Sequence, residues 1–278
     1  MSRKRIGITL GDVAGIGPEI VTKALRSGKL DKRFDYEVIG NPRTKRRQDA
    51  VTWVIEGALR CQRKELAGLV TGPISKILIR EAGYHFEGHT ELLASLARTK
   101  NYAMMLVGGP LRVSLITIHT PIREVPSLLT AQRIADVVKL THHACRRFGI
   151  ARPRIGVAAL NPHAGEDGLL GDEELKIITP AIKRLARTLP GVTGPWPADA
   201  LFHKHFRGEF DAVVAMYHDQ GLVPLKMIAF DSGVNLTLGL PFVRTSPDHG
   251  TAVDIVGKGI ARPDSMIAAI NLAATLSV

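Results

Sequence analysis

Cysteine is scarce in this chain of 278 residues, with Cys61 and Cys145 the only two. They share no short spacing, which excludes a thiolate zinc cluster and a disulfide framework and makes a reducing compartment the expectation. Aromatic residues make up 5% of the chain, and no basic stretch interleaves with them. The stacking platforms of nucleic-acid binders are therefore missing, despite a formal net charge of +11. No apolar run reaches the length of a bilayer span, the 266–278 tail included, and the N-terminus lacks the charged, apolar and small-residue sections of a signal peptide. The expectation is a cytoplasmic protein with no nucleic-acid and no membrane partner. Neither the G-x-G-x-x-G fingerprint nor the P-loop is present, and no G-x-S-x-G elbow or Cys/His arrangement points to covalent catalysis.

What is present is aliphatic. An apolar content of 45% with so few aromatics suits an α/β core, and the length fits two modest lobes. The run 5–10 reads as a strand and is followed by Gly11-Asp12-Val13-Ala14-Gly15-Ile16-Gly17-Pro18-Glu19. Pro18 and Glu19 then open a helix with an apolar stripe at Ile20, Val21, Ala24 and Leu25. The glycine spacing is equally that of a tight turn and of a weak nucleotide loop. Further strands are expected at 36–39 and 66–70, around a basic stretch, Arg43, Lys45, Arg46 and Arg47, that reads as an exposed loop. Thr71-Gly72-Pro73-Ile74-Ser75-Lys76 either caps the next helix or holds a ligand. At Gly88-His89-Thr90-Glu91 a helix begins, where Thr90 is either a plain N-cap or part of an anion site beside free backbone N–H groups.

One pattern occurs three times. The strand-like runs 111–118, 154–160 and 212–217 are followed by His119, by Asn161-Pro162-His163 and by His218-Asp219. Helical segments at 131–147 and 173–187 lie between them, so parallel strands would bring three imidazoles to one sheet edge. That residue type in that arrangement points to zinc or another divalent metal. Asp199, Glu166 and Asp167 are polar groups able to support such ligands, while Glu173 and Glu174 suit a helix start through the dipole alone. His203 and His205 read as a solvated strand face. After a turn-like Gln220-Gly221 come Lys226, Asn235 and Arg244, two cations and an amide suited to a phosphate or carboxylate. Asp248-His249-Gly250 reads as a loop entering a helix.

Taken together, Gly11 to Glu19, TGPISK at Thr71, GHTE at Gly88, NPHAGE at Asn161, MYHDQG at Met216 and Arg244-Thr245-Ser246 resemble the 4-hydroxythreonine-4-phosphate dehydrogenase family. The matches run along nearly the whole chain in the family's order. The resemblance implies a two-lobed α/β fold like that of isocitrate and isopropylmalate dehydrogenases, with residues 1–85 plus 250–278 as the cofactor lobe and 86–249 as the second. It implies a homodimer with a shared active site. His119, His163 and His218 would be ligands to a divalent metal, the last across the dimer interface, with zinc first and magnesium, manganese or cobalt as alternatives. His89, Thr90, Lys226, Asn235 and Arg244 would contact the substrate and its phosphate. Asp248, His249, Gly250 and Asp254 would hold the nicotinamide cofactor, NAD or else NADP. Asp219 and a metal-bound hydroxide are the candidates for general base.

The resemblance implies NAD-dependent oxidation of 4-phosphooxy-L-threonine. Two alternatives stand beside it: a dehydrogenase for 4-phosphothreonate or 4-phosphoerythronate, and a non-catalytic anion-binding protein with a truncated lobe. Two departures from the family are visible. Val13 stands where proline is usual, and the segment between Gly40 and Val51 is much shorter than expected.

Overall fold

The run Lys-Arg-Ile-Gly-Ile-Thr forms strand β1 (Lys4–Thr9), and its last four residues are all buried, as in a strand covered on both faces. The computed structural model describes residues 3–86 and 88–278. After β1 come α1 (Gly17–Arg26), β2 (Phe34–Ile39), α2 (Asp49–Gln62), β3 (Gly68–Thr71), α3 (Lys76–Glu81) and α4 (His89–Leu96). The chain continues through β4 (Ala103–Gly108), β5 (Leu111–Leu115), α5 (Val125–Leu128), α6 (Ala131–Arg147), β6 (Ile155–Ala158) and α7 (Thr179–Ala186). Next are β7 (Val192–Trp196), α8 (Ala198–Phe206), β8 (Ala212–Ala215) and α9 (His218–Ala229), followed by β9 (Val234–Leu238), β10 (Val243–Pro247) and α10 (Asp264–Leu276). Residues 1–100 with 231–278 make one unit, and residues 101–230 make the other.

In the first unit the strand order is β2-β1-β3-β10-β9. All neighbours are parallel except β9, which runs antiparallel to β10. Ile6, Ile8, Leu69 and Val70 from the sheet are fully buried, with Ile20 of α1 and Ile270 of α10. Proline and an acidic residue do open α1, and lysine and arginine end it, each placed to complement the helix dipole.

The second unit repeats the plan with order β4-β5-β8-β6-β7. Only β4 is antiparallel, while β5, β8 and β6 lie side by side and parallel. Leu106, Val113, Leu115, Val213 and Leu225 join one buried cluster, where truncating a leucine to alanine costs about 2–5 kcal/mol. In α6, Ile134, Val137, Val138, Thr141, Ala144 and Cys145 are buried, and the Thr130 hydroxyl caps the start by accepting from Arg133 N–H.

Three readings need correction. Gln220-Gly221 is no turn, because α9 runs unbroken through Gly221 and Pro224. A Cβ on Gly221 would stand 2.9 Å from Leu115 and Val113, so the glycine permits close packing of α9 on β5. His203 and His205 lie in helix α8, not on a solvated strand. His205 is buried, and its two ring nitrogens pair with the Arg112 N–H and the Phe210 carbonyl. The unit boundaries also differ from the expected 85/86 and 249/250: α4 packs on α2, and β10 pairs with β3. His89, Thr90, Asn235 and Arg244 therefore belong to the first unit. Among the described residues no helix is long and apolar enough to cross a membrane.

Candidate active site

In the first unit, Arg244 projects from β10 and is 2% exposed. Its Nε and one Nη donate to the Thr71 hydroxyl at 3.2 and 2.6 Å, and the other Nη donates to the Thr237 hydroxyl at 3.0 Å. These partners come from the neighbouring strands β3 and β9, which the register sets beside β10. Hydroxyls fix the plane of the guanidinium without neutralising it. Burial lowers the pKa of Arg244 to about 10, with Glu91 acting the other way. A guanidinium has five N–H donors, so this one retains donors and its charge for an anionic ligand.

Two polar atoms of this unit lie buried without a hydrogen-bond partner among the described residues, Nε2 of His89 and Oδ1 of Asn235. Unpaired buried polar groups are costly unless a ligand or water completes them. Asn235 and Thr237 are two apart on β9 and share a face of the strand. His89 opens α4 behind Gly88, which occupies the N-cap, and Thr90 is buried in the first turn, so Thr90 is not the cap. Burial pushes the His89 imidazole down to about 3, helped by the Arg244 charge and opposed by a backbone hydrogen bond with Gly72. A neutral imidazole is thus set beside a charged guanidinium.

The TGPISK stretch caps the next helix, and its first residue also contacts Arg244. Thr71 holds Arg244, while Ser75 caps α3 by accepting from the Leu78 N–H. Further along, the loop after β10 is anchored where the Asp248 N–H donates to the Gly233 carbonyl and the Ser265 hydroxyl. His249, Gly250 and Asp254 are exposed, and the loop leads into a short 3-10 turn, Val253–Ile255, ahead of α10.

In the second unit, the adjacent parallel strands β5, β8 and β6 do direct their following residues to one sheet edge. His119 and His218 come together, with ring centroids 5.6 Å apart and planes tilted by 42°. A cavity beside them is lined by Ile118, His119, Thr120, Ile122, Tyr217, His218 and Asp219. Asp219 contacts the Nδ1 of His218 at 2.6 Å, the carboxylate–imidazole pairing that fixes a tautomer and leaves Nε2 for another partner. His163 does not join them. It sits in a run of residues, 163–167, that all have positive φ, and its Nδ1 lies 3.3 Å from Glu166. Among the described residues, no group of three or more His, Cys, Asp or Glu side chains is arranged to hold a metal ion. The donor set that one chain brings together is two imidazoles, short of the three expected. Lys226 lies on the last turn of α9, with Nζ 5.6 Å from the centroid of Phe230.

Glu174 is the residue that the sequence reading undervalued. It is 2% exposed, and its carboxylate accepts from the N–H groups of Leu160 and Asn161 at 2.7 and 2.9 Å and from the Asn161 amide at 2.9 Å. Its role is to pin the turn that carries His163, not to serve a helix dipole. Gln220 does similar work: its amide accepts from the Met216 N–H and donates to the Ala159 carbonyl, tying the end of β8 to that of β6.

A family model described as pyridoxal phosphate biosynthetic protein PdxA matches residues 17–273. A 4-hydroxythreonine-4-phosphate dehydrogenase of Caulobacter vibrioides is 42% identical over 328 positions, which take in 100% of this chain and 98% of the relative. A Bradyrhizobium diazoefficiens protein named for the 4-phosphate of D-threonate is 39% identical over 337 positions, covering 100% of this chain and 98% of that protein. The alignments exceed the 278 residues here, so both relatives carry stretches that this chain lacks. A crystal structure of 4-hydroxythreonine-4-phosphate dehydrogenase from Klebsiella pneumoniae superposes with a TM-score of 0.87 at 37% identity, covering 99% of this chain and 100% of that one. Isocitrate dehydrogenase from Methylococcus capsulatus, at 16% identity and a TM-score of 0.53 over 99% of this chain and 84% of that one, shares the fold alone.

Proposed function

Because the chain belongs to the PdxA family of pyridoxal phosphate biosynthetic proteins, we propose that it oxidises 4-phosphooxy-L-threonine with NAD, in the cytoplasm. The C3 hydrogen leaves as hydride to the nicotinamide and the C3 hydroxyl proton goes to a base, giving 2-amino-3-oxo-4-phosphooxybutanoate. That ketone is β to the carboxylate, so carbon dioxide departs with its bonding electrons retained as an enol, which yields 3-amino-2-oxopropyl phosphate. The observation that carries this reading is the buried, hydroxyl-fixed guanidinium of Arg244, accompanied by the unpartnered atoms of His89 and Asn235. Such a cluster suits the oxyanion end of a small substrate. Binding energy gained there, remote from C3, is available for aligning the reacting carbon. Thr90 adds a donor to that anion, Lys226 is a further residue assigned to substrate, and the loop with Asp248, His249, Gly250 and Asp254 takes the cofactor.

Asp219 orients His218, as their short contact supports, and is the residue in line to receive the alcohol proton. His119, His163 and His218 are assigned to a divalent cation, zinc before magnesium, manganese or cobalt, completed in a homodimer. When bound, such a cation lowers the pKa of an alcohol and stabilises developing negative charge. The homodimer is supported by α9 and its C-cap Phe230, where Val223, Met227 and Phe230, spaced i, i+4 and i+7, are 57%, 81% and 73% exposed. A row of that kind on one helix face suits a protein contact.

The similarity to the Bradyrhizobium protein favours a second reading, in which the substrate is 4-phospho-D-threonate or D-erythronate 4-phosphate. The test is NADH formation across these acids with and without added zinc, magnesium or manganese. Turnover of the amino acid in preference to the hydroxy acids is the expected result; the opposite preference moves the assignment to the second reading. No NADH from any of them contradicts the enzyme reading and leaves an anion-binding protein.

A further inference from the structure

Two sequence features play no part in the chemistry above: the glycine-rich stretch 11–17 and the basic stretch 43–47. The fold joins them. Asp12 has a side chain with no exposed surface, and Arg47 grips it with both arms, Nε on Oδ1 at 3.1 Å and Nη on Oδ2 at 2.5 Å. The third contact of the Asp12 carboxylate is the Ala14 N–H, at 2.9 Å. Arg47 itself is 46% exposed along its side chain, and its pKa is raised by the hydrogen bonds and charge of Asp12.

Asp12 is tied to the turn whose residues partner Arg244 and His89. Its N–H donates to the Pro73 carbonyl at 2.9 Å, and the Gly72 N–H donates to the Thr9 carbonyl at 3.0 Å. The two turns press so closely that a Cβ on Gly11 would lie 2.5 Å from the Pro73 oxygen, and one on Gly72 would lie 2.6 Å from Leu10. Gly11 also has φ of 74°, the left-handed region that glycine adopts freely. Thr71 and Gly72, in the second turn, are the partners of Arg244 and His89. On its other side the glycine loop meets the loop after β10, where the Ile16 N–H donates to the Thr251 carbonyl at 2.9 Å. The glycines therefore serve the packing of three loops.

We propose that Arg47 is a positioning residue for anion binding: it neutralises the buried Asp12 carboxylate, which would otherwise repel a phosphate from Arg244 and His89 and loosen the turn that holds them. The proposal rests on the assignment of Arg244 and His89 to the substrate anion. A buried carboxylate stripped of its partner is an uncompensated charge in a low-dielectric setting. Removing both charges is a different matter, since the packing of the turns survives.

The experiment is calorimetric titration of the full-length protein with inorganic phosphate, alongside steady-state kinetics with the phosphorylated acid. Arg47→Met is expected to weaken phosphate binding about tenfold and to raise KM more than it lowers kcat. Asp12→Asn/Arg47→Met is expected to return phosphate affinity to within about threefold of wild type. Asp12→Asn alone, which keeps the shape of the turn, is expected to leave it within the same range, and it provides the answer if Arg47→Met does not fold. Unchanged phosphate affinity in Arg47→Met, or a double variant as weak as Arg47→Met, overturns the proposal while leaving the anion assignment standing. So does a tenfold loss in Asp12→Asn. A wild-type protein that binds no phosphate overturns both.

Discussion

Replacing Arg244 by methionine removes a guanidinium while keeping most of its volume, and the structure sets the size of the effect. The group is buried, its partners are the Thr71 and Thr237 hydroxyls, and it keeps donors for a ligand. A hydrogen bond to a charged group contributes about 1.5–3 kcal/mol, so losing the contact raises KM for the phosphorylated acid by roughly 10- to 150-fold at 1.4 kcal/mol per decade. The two threonine hydroxyls can turn to other partners, and the cost of holding an unpaired cation away from water disappears with the guanidinium. Global stability is therefore expected to stay within about 1 kcal/mol of wild type, or to rise. Arg244→Lys keeps the charge without the planar fork and should fall between the two. The assay is initial-rate NADH formation over a range of substrate concentrations, paired with urea unfolding. A KM within about twofold of wild type, together with a loss of several kcal/mol in stability, would show that Arg244 is structural and refute the reasoning.

Three further outcomes are expected. With its pKa near 3 in the fold against the ordinary 6.5, His89 takes up a proton only in the unfolded chain as pH falls below about 6.5, so stability declines by about 1.4 kcal/mol per pH unit from there down toward pH 3. Urea unfolding should show wild type losing about 1.4 kcal/mol more than His89→Gln between pH 7.5 and 5.5, and equal losses would contradict the depressed pKa. Glu174→Ala strands the N–H groups of Leu160 and Asn161 and should cost about 2–4 kcal/mol in the same assay, with Glu174→Gln milder; a change below about 0.5 kcal/mol speaks against the pinned turn. Met227→Asp, on the exposed row of α9, should shift sedimentation from dimer to monomer, whereas an unaltered dimer would place the contact elsewhere.

Local signals in the sequence carried well and non-local ones did not. The helical segment expected at 131–147 is α6, with those bounds. The strands ahead of His119, His163 and His218 were readable because buried parallel strands are short apolar runs closed by polar residues; they end earlier than expected, at Leu115, Ala158 and Ala215, and do lie side by side. The same local reading misjudged Gln220-Gly221, since a glycine that allows a helix to touch a sheet looks, in isolation, like one that ends it. Arg244 could be singled out, yet its partners could not, because Thr71 lies 173 positions away in the chain. Glu174 reads as a helix opener for the same reason: its partners include backbone N–H groups at Leu160 and Asn161, which no residue pattern reveals. The lobe assignment of His89 and Arg244 followed chain order, whereas the return of β9 and β10 to β3 decides where they sit. The pairing of Asp12 with Arg47 was invisible until the glycine loop and the basic stretch were seen together.

The most direct measurement compares NADH formation by the wild-type protein, supplied with NAD and zinc, on 4-phosphooxy-L-threonine and on the same acid without its phosphate. Rapid reduction of NAD with the phosphorylated acid and a rate at least about 100-fold lower without the phosphate is the expected result. Equal rates on the two, or no NADH from either, would contradict the account.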